Sequence, residues 1–233
     1  MAVIELKTYC MPAEDTELAL APFDFSLAPW DVCAVQTDTA DLGHQFLKAL
    51  AMISAPVSGE YRCDGRTLSL RRYAEWLLHR RRICYIGPVS ALISNLSIRE
   101  NLLLSRFYYE NDLSVDLSAD VKRLCHDAGL GGKLSARPGE LNPLDRRIAI
   151  AIRELTRDAS LVILDNPEDL FGHHTVYLLV EHLKALHRQG VPMVMMSDGE
   201  NPIRQLITRS VSLIGGRLRE EASNLAEQIE ALR

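Results

Sequence analysis

Along the first third of the chain, apolar and polar residues alternate at period two, the mark of strands with one buried face. Strands are predicted over roughly 2–8, 18–27 and 31–36, the third from the continuous apolar run Val32–Val35 of a buried strand. The period then changes. Phe46, Leu47, Leu50 and Ala51 recur at helical spacing and predict a helix from about 41 to 54. Pro56–Leu68 reads as two short strands around Asp64-Gly65, a strong hairpin-turn signal. A basic amphipathic helix over Leu70–Arg82 leads into the apolar strand Ile83–Ile86. Helices follow over Ser97–Tyr109 and around Leu117, Val121, Leu124 and Ala128, stopped by Gly129, Gly131 and Gly132. From Pro143 a helix runs to about Arg157. The remainder alternates: strand Leu161–Leu164, helix His174–Gln189, strand Val191–Met196, and a short helix near Pro202–Ile207. Strand Val211–Ile214, a Gly215-Gly216 turn and a solvated helix over Glu220–Leu232 complete the order. Strands alternating with helices imply a parallel sheet covered on both faces. No internal repeat or low-complexity tract is present.

Composition narrows this little. The 233 residues allow one large or two small domains, and 47% hydrophobic with 24% charged residues is ordinary for a soluble globular chain. A net charge of −5 argues against a general nucleic-acid binder. Cys10, Cys33, Cys63, Cys84 and Cys125 are scattered without a C-x-x-C pair, which argues against zinc and for small buried residues in a reducing compartment. Met1–Lys7 alternates like a strand rather than opening as a signal, and no apolar run reaches ~18 residues. A cytosolic protein, or one docked on a membrane partner, is expected.

Candidate chemistry begins between Val35 and Ile53, where VQTDTADLGHQFLKALAMI has the outline of a phosphate-binding loop. Such a loop (G-x-x-x-x-G-K-[ST]) leaves a strand and opens a helix. Its glycines bring N–H groups onto the phosphates, its Lys meets them and its hydroxyl holds Mg²⁺. Here a strand feeds a helix across a loop of the right length. Aligned without gaps, Thr37 and Leu42 take the glycine positions, Gly43 the Lys position, and His44 and Gln45 the hydroxyl positions. Asp38 and Asp41 add negative charge. At ~4 Å each would repel a phosphate charge by about 1 kcal/mol in bulk water.

Further along, the order of landmarks resembles the ATP-binding subunit of ABC transporters over nearly the whole length. Pro56–Leu68 resembles that family's β-hairpin, Ile83–Leu104 its Q-loop region and Pro138–Leu155 its signature stretch and helix. Leu161–Pro167 (LVILDNP) resembles the Walker B strand, and Thr208–Leu218 the closing segment. The run NLSIRENL (Asn95–Leu102) looks most like bacterial importers and Mce-type lipid-trafficking systems. The resemblance implies an α/β chain with the P-loop NTPase-like ABC ATPase fold, one domain over 1–233. A mixed sheet core with an N-terminal antiparallel β-subdomain would occupy about 1–96 and 141–233, and a helical subdomain about 97–140.

Carried over one at a time, the family's functional residues are mostly missing. Pro88 stands at the Q-loop glutamine, and Leu141-Asn142-Pro143-Leu144-Asp145 at the signature L-S-G-G-Q. Asp165 keeps the Walker B carboxylate that would reach Mg²⁺ through water, a helix-capping or sheet-edge role being its plain alternative. The neighbouring catalytic carboxylate is Asn166, an amide that cannot take a proton. Asp198 stands at the switch histidine and Gly172 at the D-loop aspartate. Tyr9 falls near the adenine-stacking aromatic, with packing as its plain role. His173-His174 beside Asp169 reads as a helix start rather than a metal site. The basic run Arg71, Arg72, Arg80, Arg81 and Arg82 reads as a solvated face, with lipid phosphates or an acidic partner as the alternative.

A pseudo-ATPase is therefore expected, with no catalytic residue, no metal and no nucleotide cofactor, acting as a structural or regulatory part of a transporter complex. Its expected partners are a membrane-spanning transporter subunit and either an ABC ATPase-type subunit or a second copy of itself, with no nucleic acid. It would lie in the cytoplasm, held at the inner membrane through that partner. Docking is expected at Val89, Leu92 and Ile93, apolar residues among small ones in Pro88–Asn95. The alternatives are a weak ATPase holding ATP and Mg²⁺ through substitute residues, Lys48 being the nearest cation, and a stand-alone soluble interaction module.

Overall fold

The computed structural model describes residues 3–12, 19–69, 73–166, 179–196 and 202–220. In chain order the strands are Ile4–Cys10 (β1), Phe23–Leu27 (β2), Val32–Thr37 (β3), Ser58–Cys63 (β4) and Arg66–Thr67 (β5). Ile83–Ile86 (β6), Leu161–Asp165 (β7), Met193–Met196 (β8), Arg209–Ile214 (β9) and Arg217–Glu220 (β10) follow. The helices are Ala40–Leu50 (α1), Tyr73–Arg80 (α2), Ile98–Glu110 (α3), Ala119–Asp127 (α4) and Pro143–Leu155 (α5), with α6 over 179–188.

Strands β2-β1-β4-β5 form an antiparallel sheet. The β4–β5 turn sets both Asp64 (φ 49°) and Gly65 (φ 76°) in the left-handed region, the backbone that matches strand twist in a two-residue hairpin. The second sheet runs β10-β9-β3-β8-β7-β6, parallel except for the β9–β10 hairpin. Its central strands β7 and β8 are buried on both faces, as the continuous apolar runs LVIL and MVMM require.

Helix α1 lies between the sheets. Its Leu42, Phe46, Leu47 and Leu50 share a core with Tyr9, Phe25 and Tyr61 of the antiparallel sheet and Val35, Ile163 and Val194 of the main one. Phe46 meets Phe25 edge-on at 5.0 Å. On the opposite face Val32, Cys84, Val162 and Met193 pack with Ala151 and Leu155 of α5 and Leu179 and Leu183 of α6. A third cluster joins α3, α4 and α5 through Ile98, Leu103, Cys125 and Ile148. The cysteines are all free thiols, and burial pushes those of Cys33 and Cys63 up to about 12, which leaves them unreactive.

Boundaries shift where backbone geometry overrides periodicity. α1 stops at Leu50, short of the expected 54, because the chain turns through Ala51 and Met52, whose φ is 53°. Arg81 and Arg82 form a turn after α2 rather than its last turn. Within the described residues the second strand begins at Phe23. The expectations for Asp198, Gly172, His173-His174 beside Asp169, Arg71, Arg72 and the helix over 221–232 fall outside the described residues. No described helix is long and apolar enough to cross a membrane.

Candidate functional site

β3 ends at Thr37 and α1 begins at Ala40, so only Asp38 and Thr39 connect them. The expected loop of phosphate-binding length is absent because the helix starts early. Leu42 and Gly43 already lie inside it, and Gly43 N–H donates to Thr39 O at 3.4 Å. Neither Thr37 nor Leu42 has a positive φ, so the chain avoids the glycine conformations instead of straining into them. The connection's polar groups bond to protein: Thr37 Oγ1 donates to Thr39 O (2.6 Å), and Asp38 accepts from Gly215 N–H (2.8 Å). Leu42 and Gln45 point inward and are buried. A Cβ on Gly43 would stand 2.1 Å from Met196 Sδ, so the methionine fills the space where a lysine stem would start.

One turn on, His44 Nδ1 lies 2.8 Å from Asp165 Oδ1, and the Tyr85 hydroxyl donates to Asp165 Oδ2 at 2.6 Å. Asp165 is fully buried at the end of β7, with both oxygens engaged. Burial, and then the bond to Asp165, push the Tyr85 pKa up, so the phenol stays a donor. Gly87 crosses this pair closely: a Cβ there would lie 2.6 Å from Tyr85 Oη and 2.8 Å from Asp165 Cβ. A cavity of about 120 Å³ remains, lined by Asp41, His44, Lys48, Tyr85, Pro88, Val89 and Asp165. The Mg²⁺ and ATP that the resemblance implies do not fit these residues. The loop offers no cradle, Met196 closes the Lys position, and the Asp165 carboxylate is held by His44 and Tyr85. Asn166, next in the chain, has φ 50° and a buried Oδ1 without a hydrogen-bond partner among the described residues.

The stretch at the signature position caps its own helix. Asn142 accepts from Asp145 N–H (2.8 Å), and Asp145 Oδ2 accepts from Asn142 Nδ2 (2.9 Å) and Lys133 Nζ (2.6 Å). Pro143 takes the first helical position, so the N-terminus that would face a phosphate carries a carboxylate and lacks one N–H. Tyr9 is wholly buried, 5.8 Å from Phe23 and 6.1 Å from Tyr61, which leaves no ring face for an adenine and corrects that expectation in favour of packing.

Of the three expected docking residues, Val89 (55%) and Ile93 (41%) are exposed, while Leu92 packs inward against the α3–α5 cluster. Their loop is held from inside. Fully buried Asn101 accepts from Ile93 N–H (2.7 Å) and donates towards the carbonyls of Ile93, Leu96 and Ser97. Arg153 donates to Ala91 O at 2.7 Å. Tyr85, Met196 and Asn101 were not singled out by sequence reasoning. Tyr85 and Asn101 had one available signal each, a hydroxyl in an otherwise apolar strand and an amide on the apolar stripe of a helix.

No family model matches the chain. It is 25% identical over 224 residues to the macrolide export ATP-binding/permease protein MacB of Marinobacter nauticus, covering 94% of this chain and 34% of that protein. It is 28% identical over 187 residues to the autoinducer 2 import ATP-binding protein LsrA of an Enterobacter species, covering 80% and 36%. The chain thus spans about a third of the length of these relatives. Among solved structures, the dimeric post-hydrolysis state of the ATP-binding cassette MJ0796, bound to ADP and Pi, matches with a TM-score of 0.78 at 18% identity. That match covers 94% of this chain and 97% of the other. An ATP-binding subunit of an ABC transporter matches at 0.79 and 17% identity, covering 99% and 94%. The fold is that of the ABC ATPases.

Proposed function

We propose that the chain is a catalytically degenerate ABC-type subunit that serves a membrane transporter complex by docking rather than by hydrolysing ATP. One observation carries this reading: the carboxylate that would hold Mg²⁺ is closed by His44 and Tyr85, beside a Lys position filled by Met196. Two absences reinforce it, the missing base at Asn166 and the blocked helix terminus at Pro143. The relatives support a membrane setting. One joins ATP binding to a permease in a single protein, and the other is an import ATP-binding protein. A membrane-spanning subunit would meet Val89 and Ile93 and hold the chain on the cytoplasmic side of the inner membrane. A second ABC-type subunit, or another copy of this chain, would complete the assembly, and the NLSIRENL run favours an Mce-type lipid-trafficking system as its setting.

Thermal melting with Mg·ATP tests the reading. A millimolar ligand with a micromolar dissociation constant would add about 4 kcal/mol of stability. No shift is expected, and a rise of several degrees would overturn the assignment.

A further inference from the structure

Five arginines converge on a cavity of about 540 Å³ at the end of the main sheet where β6 begins and α5 ends, far from the His44–Asp165 pair. Two of them are already engaged. Arg106 grips both oxygens of Glu110 (2.7 and 3.0 Å) and donates to Asp116 O, while Arg153 bonds Glu154 and Ala91 O. The other three are engaged less fully. Arg81 stacks over the Tyr109 ring at 5.1 Å and has no carboxylate partner among the described residues. Arg82 Nε stands 3.4 Å from Asp158 Oδ2 without hydrogen-bond geometry, and Arg157 reaches Glu154 only through Nη2. The Nε atoms of Arg82 and Arg157 are both buried with no hydrogen-bond acceptor among the described residues. Buried donors without acceptors are rare in folded proteins, and two on one cavity wall point to a missing acceptor.

The rest of the lining supplies the second half of a ligand's description. Leu102, Leu103, Leu117 and Val121 give an apolar wall, and the volume is that of a small-molecule site. We infer that this cavity binds an organic phosphate with an apolar body. The phosphate lies among Arg81, Arg82 and Arg157, and the body lies against the leucines and Val121. Guanidinium forks match phosphate oxygens in pairs, and a dianion with three acceptor oxygens suits three under-engaged arginines better than a single carboxylate does. The chain's net charge of −5 makes this positive wall a local feature rather than a general attraction for anions. Two residues of the basic run, Arg81 and Arg82, thereby line a cavity while staying within reach of solvent. The inference does not rest on the docking proposal, and failure of either leaves the other standing.

Titration calorimetry of the purified chain tests it with three probes: short-chain phosphatidic acid below its micelle concentration, the matching phosphatidylcholine, and inorganic phosphate. Phosphatidic acid should bind saturably at one site, about tenfold or more tighter than either other probe. Arg82→Gln with Arg157→Gln should weaken it at least about tenfold. If that pair fails to fold, Arg81→Gln, on an exposed residue, should still lower the affinity measurably. Absence of saturable binding, equal affinity for inorganic phosphate, or wild-type affinity in Arg81→Gln would overturn the inference. A wall built for the carboxylates of a partner protein would give the first of these results.

Discussion

The bond between His44 Nδ1 and Asp165 Oδ1, 2.8 Å long, links residues 121 positions apart and ties the start of α1 to the end of β7. Since Asp165 is fully buried, its two partners satisfy a carboxyl group that is shielded from water.

Tyr85→Phe should therefore cost about 1–3 kcal/mol, the range for leaving a buried polar group without its partner. His44 is partly exposed, so water can replace its imidazole, and His44→Ala should cost only about 1 kcal/mol. Urea unfolding of the two variants checks the order. An equal loss in both would contradict the picture of a carboxylate sheltered mainly by Tyr85.

Restoring the lysine alone should not restore an ATPase. Gly43→Lys drives a Cβ against Met196 Sδ and should destabilise by about 1–3 kcal/mol, the usual cost of overpacking. Phosphate release should stay at background because Asn166 cannot act as base. Adding Met196→Ala should recover part of the lost stability, a coupling readable in a double-mutant cycle.

Val89→Asp and Ile93→Asp alter exposed side chains and should change stability by no more than about 0.5 kcal/mol. Either should release the chain from the membrane fraction. Asn101→Ala differs in kind. It removes the buried amide that shapes the same loop and should cost about 1–3 kcal/mol while also weakening attachment. Retention of both aspartate variants at the membrane would sink the docking proposal.

Asp116 gives a pH prediction. Its bond from Lys122, then those from Leu117 N–H and Arg99, hold the carboxyl down at about 2. An unfolded aspartate titrates near ~3.9, so the stabilisation is complete above that value and is lost as pH falls towards about 2. The melting temperature of Asp116→Asn should lie below wild type at neutral pH, and the gap should close across that window.

The fold was legible because its long elements carry one period each. The apolar runs of β6, β7 and β8, the Asp64-Gly65 turn and the helix beginning at Pro143 all formed close to where they were read. At Asn166 and Pro143 the reading rests on residue type alone, an amide that cannot take a proton and a ring without an N–H. The closure of the site was not legible. His44, Tyr85 and Asp165 sit on three separated segments, and only the parallel pairing of β6 with β7 sets the phenol beside the carboxylate. The early start of α1 was hidden for a different reason: nothing in Asp38–Asp41 marks whether two or five residues stay out of the helix.

The central placement of β3 governs the order in which this chain can fold. Its neighbours β8 and β9 come from the far end of the sequence, with Val32 pairing Met193 and Cys33 pairing Arg209. The antiparallel sheet needs only residues 4–67, its longest pairing joining Ile4 to Cys63. During synthesis the first sheet can form while β3 waits with both edges open until β8 and β9 leave the ribosome. Such long loops slow the closing step, and a nascent chain halted before Met193 exposes an apolar, unpaired strand to chaperones and to its own kind.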